Sequence, residues 1–215
     1  MKYKAILFDL DGVICNTDQF HYWAWQQIAD EIGVHFDENI NNRLRGVSRK
    51  ESLDIILESH SPKLNEAEKE YYLNKKNDLY RGLLKQMSPA DLSAEVKETM
   101  DRLKSQGILL AIGSSSKNAR PILKQLGLEN YFHAVSDGTN ISRSKPDPEV
   151  FLKASEYLAI APEFCLVVED AKSGIEAALA AKMDCAAYGN GTSYNLAHYN
   201  LEKITDLLPI VLSRN

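Results

Sequence analysis

The chain has 215 residues, 44% hydrophobic and 26% charged, with a net charge of −5. That length can bury a full core, one ordinary domain plus a smaller one. The mildly acidic balance, without a long Lys/Arg run, excludes general nucleic-acid binding and attraction to anionic membranes.

The chain opens on Ala5-Ile6-Leu7-Phe8-Asp9-Leu10-Asp11-Gly12-Val13. An apolar run without polar alternation reads as a strand buried on both faces of a parallel sheet. It ends in two carboxylates spaced i, i+2, which in extended geometry point the same way, and Gly12 permits a sharp turn after them. The segment alone fits two readings. One is a strand capped by an Asp-Gly turn; the other is a pair of acids placed for chemistry, because ligands of open α/β sheets sit outside the carboxyl ends of the strands. The N-terminus enters this strand almost at once, so no signal peptide is expected, and no apolar run is long enough to span a bilayer. Cys15, Cys165 and Cys185 are far apart in apolar surroundings, without metal or redox spacing. They read as buried reduced thiols of a cytoplasmic protein.

From Asp18, an N-cap residue type, a helix is expected to about Ile32, with Phe20, Trp23, Ile28 and Ile32 at compatible spacing and Gly33 closing it. The pattern stays helical to about Met87. Ser48 opens a helix carrying Leu53, Ile56 and Leu57, and Asn65 to about Leu84 forms another. Ser88-Pro89-Ala90-Asp91 reads as a return linker. From Ser93 helices and strands alternate: helix 94–106, strand 108–113, helix 118–126, strand 134–136, helix 149–158, strand 165–168, helix 174–181 and strand 185–187. Such alternation means a parallel sheet with helices on both faces. The expected fold is therefore α/β, a Rossmann-like sheet formed by residues 1–15 and 89–215, with an all-helical cap domain inserted at 16–88.

Three later strands also finish in residues suited to phosphate chemistry. One runs into Ser114-Ser115-Ser116-Lys117-Asn118, where hydroxyls and free amides at a helix start can hold an anion, or where Ser116 serves only as a cap. Lys145 sits in Ser144-Lys145-Pro146-Asp147-Pro148, a loop stiffened by two prolines. Another strand continues into Glu169-Asp170. Parallel strands bring their carboxyl ends to one edge, so Asp9, Asp11, Glu169 and Asp170 are expected to converge. Two like charges ~4 Å apart repel by about 4 kcal/mol at an effective dielectric of about 20. Four together need a cation, and oxygen ligands beside a phosphate favour Mg2+.

Asp9-Leu10-Asp11-Gly12-Val13, Ser114, Lys145-Pro146 and Glu169-Asp170, in this order, resemble the four motifs of the haloacid dehalogenase superfamily, over essentially the whole chain. Within that superfamily, His21, Trp25, Arg45-Gly46-Val47-Ser48-Arg49, Lys76-Asn77-Asp78 and Ser114 to Asn118 resemble the β-phosphoglucomutase branch. One departure is Arg45, where the branch often has lysine.

The resemblance implies an Mg2+-dependent interconversion of β-glucose 1-phosphate and glucose 6-phosphate, primed by glucose 1,6-bisphosphate. Asp9 would be the nucleophile and metal ligand, and Asp11 the general acid/base, with any metal contact through its backbone carbonyl. Glu169 and Asp170 would complete the metal site. Ser114 to Asn118 and Lys145 would hold phosphate, and Arg49 in the cap would hold the non-transferring phosphate; Arg45, His21 and Lys76 would help close the site or orient Asp11, with Trp25 and Gly46 also binding the substrate. The expected partner is a small-molecule sugar phosphate, acted on by a monomer. The alternatives are a sugar-phosphate phosphatase of the same superfamily and a non-catalytic phosphosugar binder.

Overall fold

The computed structural model describes residues 2–45, 47–58 and 63–213. Six parallel strands form one sheet: β1 (Ala5–Phe8), β2 (Leu109–Gly113), β3 (Ala134–Ser136), β4 (Cys165–Glu169), β5 (Asp184–Tyr188) and β6 (Tyr199–Leu201). Their spatial order is β3-β2-β1-β4-β5-β6. Phe8 pairs with Ile112 on one side and Val168 on the other, which places β1 in the centre.

The unbroken apolar runs have a direct cause. Alternate residues of each strand face opposite sides of the sheet, and both sides are covered. Ile6 and Phe8 join Leu110, Ile112, Leu166 and Val168 in one core. It is roofed by α5 (Ala94–Ser105), α6 (Ala119–Gln125) and α9 (Leu207–Leu212). Ala5 and Leu7 join Ala111, Cys165 and Val167 in the other core, under α7 (Glu149–Tyr157) and α8 (Lys172–Ala180). All three cysteines are buried and free of disulfide partners.

Among the described residues, four α-helices lie between β1 and α5: α1 (Asp18–Ile32), α2 (Glu38–Arg43), α3 (Arg49–Ile56) and α4 (Glu66–Leu84). They build a third core from Trp25, Ile28, Ala29, Phe36, Leu44, Leu53 and Ile56. Ser48 caps α3 and Asn65 caps α4, each in a reciprocal capping box with a glutamate three residues on. The chain returns through a 3-10 turn at Pro89–Asp91.

The structure adds β6 and α9 beyond the last strand expected from sequence. Asp18 is the first helical residue of α1 rather than its cap; Thr17 holds the cap position, yet its side chain makes no cap bond. Among the described residues, no helix is long and apolar enough to cross a membrane.

Candidate active site

Strand order reverses between β1 and β4, and in open α/β sheets the crevice at such a point is where ligands bind. Asp9 follows β1 directly, its N–H donating to Val168 O at 2.9 Å, and Glu169-Asp170 end β4 beside it. The ammonium of Lys145, 1% exposed, bonds both Asp9 Oδ1 and Glu169 Oε1. Two glycines allow this crowding. A Cβ on Gly12, whose φ is +99°, would overlap the Asp170 carboxylate, and a Cβ on Gly174 would overlap that of Glu169.

Asp11 is oriented separately from Asp9. After Phe8 the chain leaves strand geometry and turns, with the Gly12 N–H donating to Cys15 O at 2.7 Å. The Asp11 carboxylate accepts from Thr17 N at 2.8 Å and from Thr17 Oγ1 at 2.6 Å. Thr17 Oγ1 lies 2.8 Å from the buried hydroxyl of Tyr80 on α4, whose ring stacks on His21 at 4.1 Å. Lys76 Nζ lies 2.7 Å from His21 Nδ1, and His21 Nε2 lies 3.5 Å from Asp11 Oδ2; where Lys76 is an ammonium it donates to Nδ1 and leaves the imidazole proton on Nε2. Burial, then the charges of Lys76 and Arg49, hold His21 well below the usual histidine range. Lys76 itself is lowered to about 7 by burial and by Arg49. Burial also raises Asp11, which favours the protonated form that a general acid needs.

The remaining predicted residues line one cleft of about 950 Å³ between sheet edge and cap. On the core side, Ser114 Oγ accepts from Ser116 N at 3.2 Å, and Ser115 Oγ accepts from Lys145 N at 3.4 Å, so the serine loop is folded against the lysine. Lys117 and Asn118 complete that wall. On the cap side, Arg45 bonds Asp18 Oδ2 at 2.6 Å and comes within 3.9 Å of Asp170. Arg49 donates to Leu73 O at 2.9 Å. Trp25, expected at the substrate, is 2% exposed and chiefly a core residue of the cap, with the Lys76 ammonium 5.0 Å from its ring centre. Gly46 lies outside the described residues.

The site carries excess negative charge. Asp9, Glu169 and Asp170 each bring a carboxylate oxygen to within 4.8 Å of the others, against the Lys145 ammonium between Asp9 and Glu169 and the Arg45 guanidinium 3.9 Å from Asp170. Burial raises Asp9 to about 7 despite Lys145. Burial, with Glu169 and Asp9 adding repulsion, raises Asp170 to about 8. A hard divalent cation with oxygen ligands relieves this arrangement, so the donor set fits Mg2+. The Asp11 side chain, expected to converge with the other three acids, stands outside this group; Thr17 holds it toward His21 instead.

Thr17 and Tyr80 give no site signal in the sequence, and Asn77 enters there only within the Lys76-Asn77-Asp78 motif, without a role. A hydroxyl before a helix reads as a cap. The partner of Thr17 on α4 lies 63 residues away, so periodicity could not place it.

Residues 6–188 match the family model for haloacid dehalogenase-like hydrolases. The chain is 38% identical to the β-phosphoglucomutase of Bacillus subtilis over 95% of this chain and 91% of the relative. It is 34% identical to a phosphorylated carbohydrates phosphatase of Thermotoga maritima, over 84% of this chain and 82% of that protein. The crystal structure of β-phosphoglucomutase from Clostridium difficile superposes with a TM-score of 0.90 at 34% identity, covering 95% of this chain and 93% of that one.

Proposed function

This chain belongs to the haloacid dehalogenase-like hydrolase family, and on that footing we propose that it interconverts β-D-glucose 1-phosphate and D-glucose 6-phosphate. The observation that carries the reading is the distribution of cations in the cleft. Lys145 is consumed by the acids, whereas Arg49 and Lys117 line the same cleft with no carboxylate partner among the described residues. A site for one transferring phosphate needs only the first. A second pair, free of carboxylates among the described residues, suits the other phosphate of a bisphosphate intermediate, and Arg presents a planar fork matched to phosphate.

Asp9 is the proposed nucleophile. Its carboxylate attacks phosphorus, the bond from phosphorus to the bridging oxygen of the donor breaks, and Asp9 becomes an aspartyl phosphate. Asp11 gives its proton to the leaving sugar oxygen; in the return step it takes the proton of the attacking hydroxyl. His21 and Thr17 hold Asp11 in place, and Lys145 with Ser114 balances charge on the phosphoryl oxygens. Asp9, Glu169 and Asp170 would hold Mg2+, with the backbone carbonyl of Asp11 as a further ligand. The ion would offset the charge of the acids and of the transferring group. Glucose 1,6-bisphosphate would load Asp9 at the start, and closure of the cap would keep water from the aspartyl phosphate. The proposed partner is a small-molecule sugar phosphate, acted on by a monomer.

The relative from Thermotoga maritima keeps a second reading in view: the same nucleophile, with water as final acceptor. The test offers the two anomers separately with Mg2+ and bisphosphate primer. The mutase reading expects turnover of β-glucose 1-phosphate and none of the α anomer. Equal turnover of both anomers contradicts it.

A further inference from the structure

The cleft is bridged at one further point by neutral side chains. Asn118 Nδ2 donates to Asn77 Oδ1 at 3.0 Å, and both residues are half-buried. Among the described residues, this is the hydrogen bond that joins α4 to the serine loop. The preceding residue on the helix, Lys76, reaches instead to His21 and through it toward Asp11. Neighbouring helical residues project about 100° apart. One helix of 19 residues thus presents adjacent side chains to the acid/base group and to the serine loop.

Asn118 stands at the cap position of α6 but makes no side-chain cap bond there. An asparagine so placed ordinarily bonds its own helix. Its backbone N–H is already taken by Ser116 Oγ at 3.1 Å, and its side chain crosses the cleft instead. A primary amide has two N–H donors. With one engaged by Asn77, the direction of the other is set.

We propose that Asn77 is a positioning residue acting through Asn118. By accepting one N–H it aims the second at the non-transferring phosphate of the bound sugar phosphate. It does so only while α4 is down on the cleft, so the phosphate contact forms together with the approach of His21 to Asp11. This inference rests on the proposed function, which sets the non-transferring phosphate against Arg49 and Lys117, the latter adjacent to Asn118.

The experiment is a double-mutant cycle on KM and kcat with β-glucose 1-phosphate, using Asn77→Ala, Asn118→Ala and both together. The net contribution of one hydrogen bond corresponds to about a threefold to tenfold change in binding. Asn77→Ala is expected to raise KM by that factor, with a smaller change in kcat. In the Asn118→Ala background the same substitution should change KM by less than about 1.5-fold, because the residue it acts through is gone. A merely structural role would persist in both backgrounds. Asn77→Ser, small and polar, carries the same expectation and serves if the alanine variant is unstable. Equal effects in the two backgrounds, or no effect of Asn77→Ala in the otherwise native chain, overturn the proposal. A native chain that turns over no sugar phosphate contradicts the proposed function, and this inference with it. Normal native turnover with equal effects in both backgrounds contradicts the role of Asn77 alone.

Discussion

Asp9→Asn is expected to abolish phosphoryl transfer while leaving the fold intact, with turnover falling by roughly 10⁴-fold or more, as loss of a covalent nucleophile does. The substitution preserves shape but replaces a carboxylate oxygen by an amide that does not attack phosphorus. Its effect on stability runs the other way. Burial pushes the Asp9 carboxyl up to about 7, so its ionised form is disfavoured in the folded chain. A group raised in this way supports the folded state fully below about 4, and that support is lost as pH rises through about 7. Neutralising it gives up the Asp9–Lys145 ion pair but leaves Lys145 paired with Glu169 and removes the larger burial cost and the repulsion from Glu169 and Asp11. Without added metal at pH 8, the thermal midpoint should hold or rise. Activity and midpoint measured on one preparation check both halves; retained turnover would remove the covalent step from any enzyme of this description.

Asp11→Asn carries the second large effect, a loss of about 10²- to 10⁴-fold in transfer to and from sugar oxygens. The reason lies in its surroundings. Its carboxylate is held by the Thr17 N–H and hydroxyl, faces His21 Nε2, and stands outside the acid group that Lys145 bridges. Loss of Asp11 therefore removes a proton donor without removing nucleophile or metal ligands. Loading of Asp9 from acetyl phosphate, whose leaving group departs without needing a proton, should fall far less than reaction with a sugar phosphate. The comparison is made by trapping the phosphorylated chain with each donor. Equal losses with both donors would mean that Asp11 serves the metal or the fold rather than the proton.

Much of this was legible in the sequence, for a physical reason. Strands buried on both faces must be apolar throughout, so Ala5–Phe8, Leu109–Gly113 and Cys165–Glu169 stood out, and their carboxyl ends had to share one edge. Asp9, Lys145, Glu169 and Asp170 followed from that edge. The separate course of Asp11 did not. Extended geometry would have aimed it alongside Asp9, but the chain leaves the strand at Phe8 and turns at Gly12. Thr17 and Tyr80 entered the site through the packing of α1 on α4, which no local spacing reveals. Asn77 and Asn118, 41 residues apart, met for the same reason. Three-residue β6 on the sheet edge and the short α9 offered too little pattern to find.

The central claim is that the aspartyl phosphate returns its phosphoryl group to a sugar rather than to water. The most direct measurement follows glucose 6-phosphate and inorganic phosphate together, from β-glucose 1-phosphate with Mg2+ and a trace of β-glucose 1,6-bisphosphate. The account predicts that glucose 6-phosphate accounts for nearly all the substrate consumed, at a rate that rises with the bisphosphate. Phosphate released as fast as substrate disappears, with the bisphosphate making no difference, would contradict it.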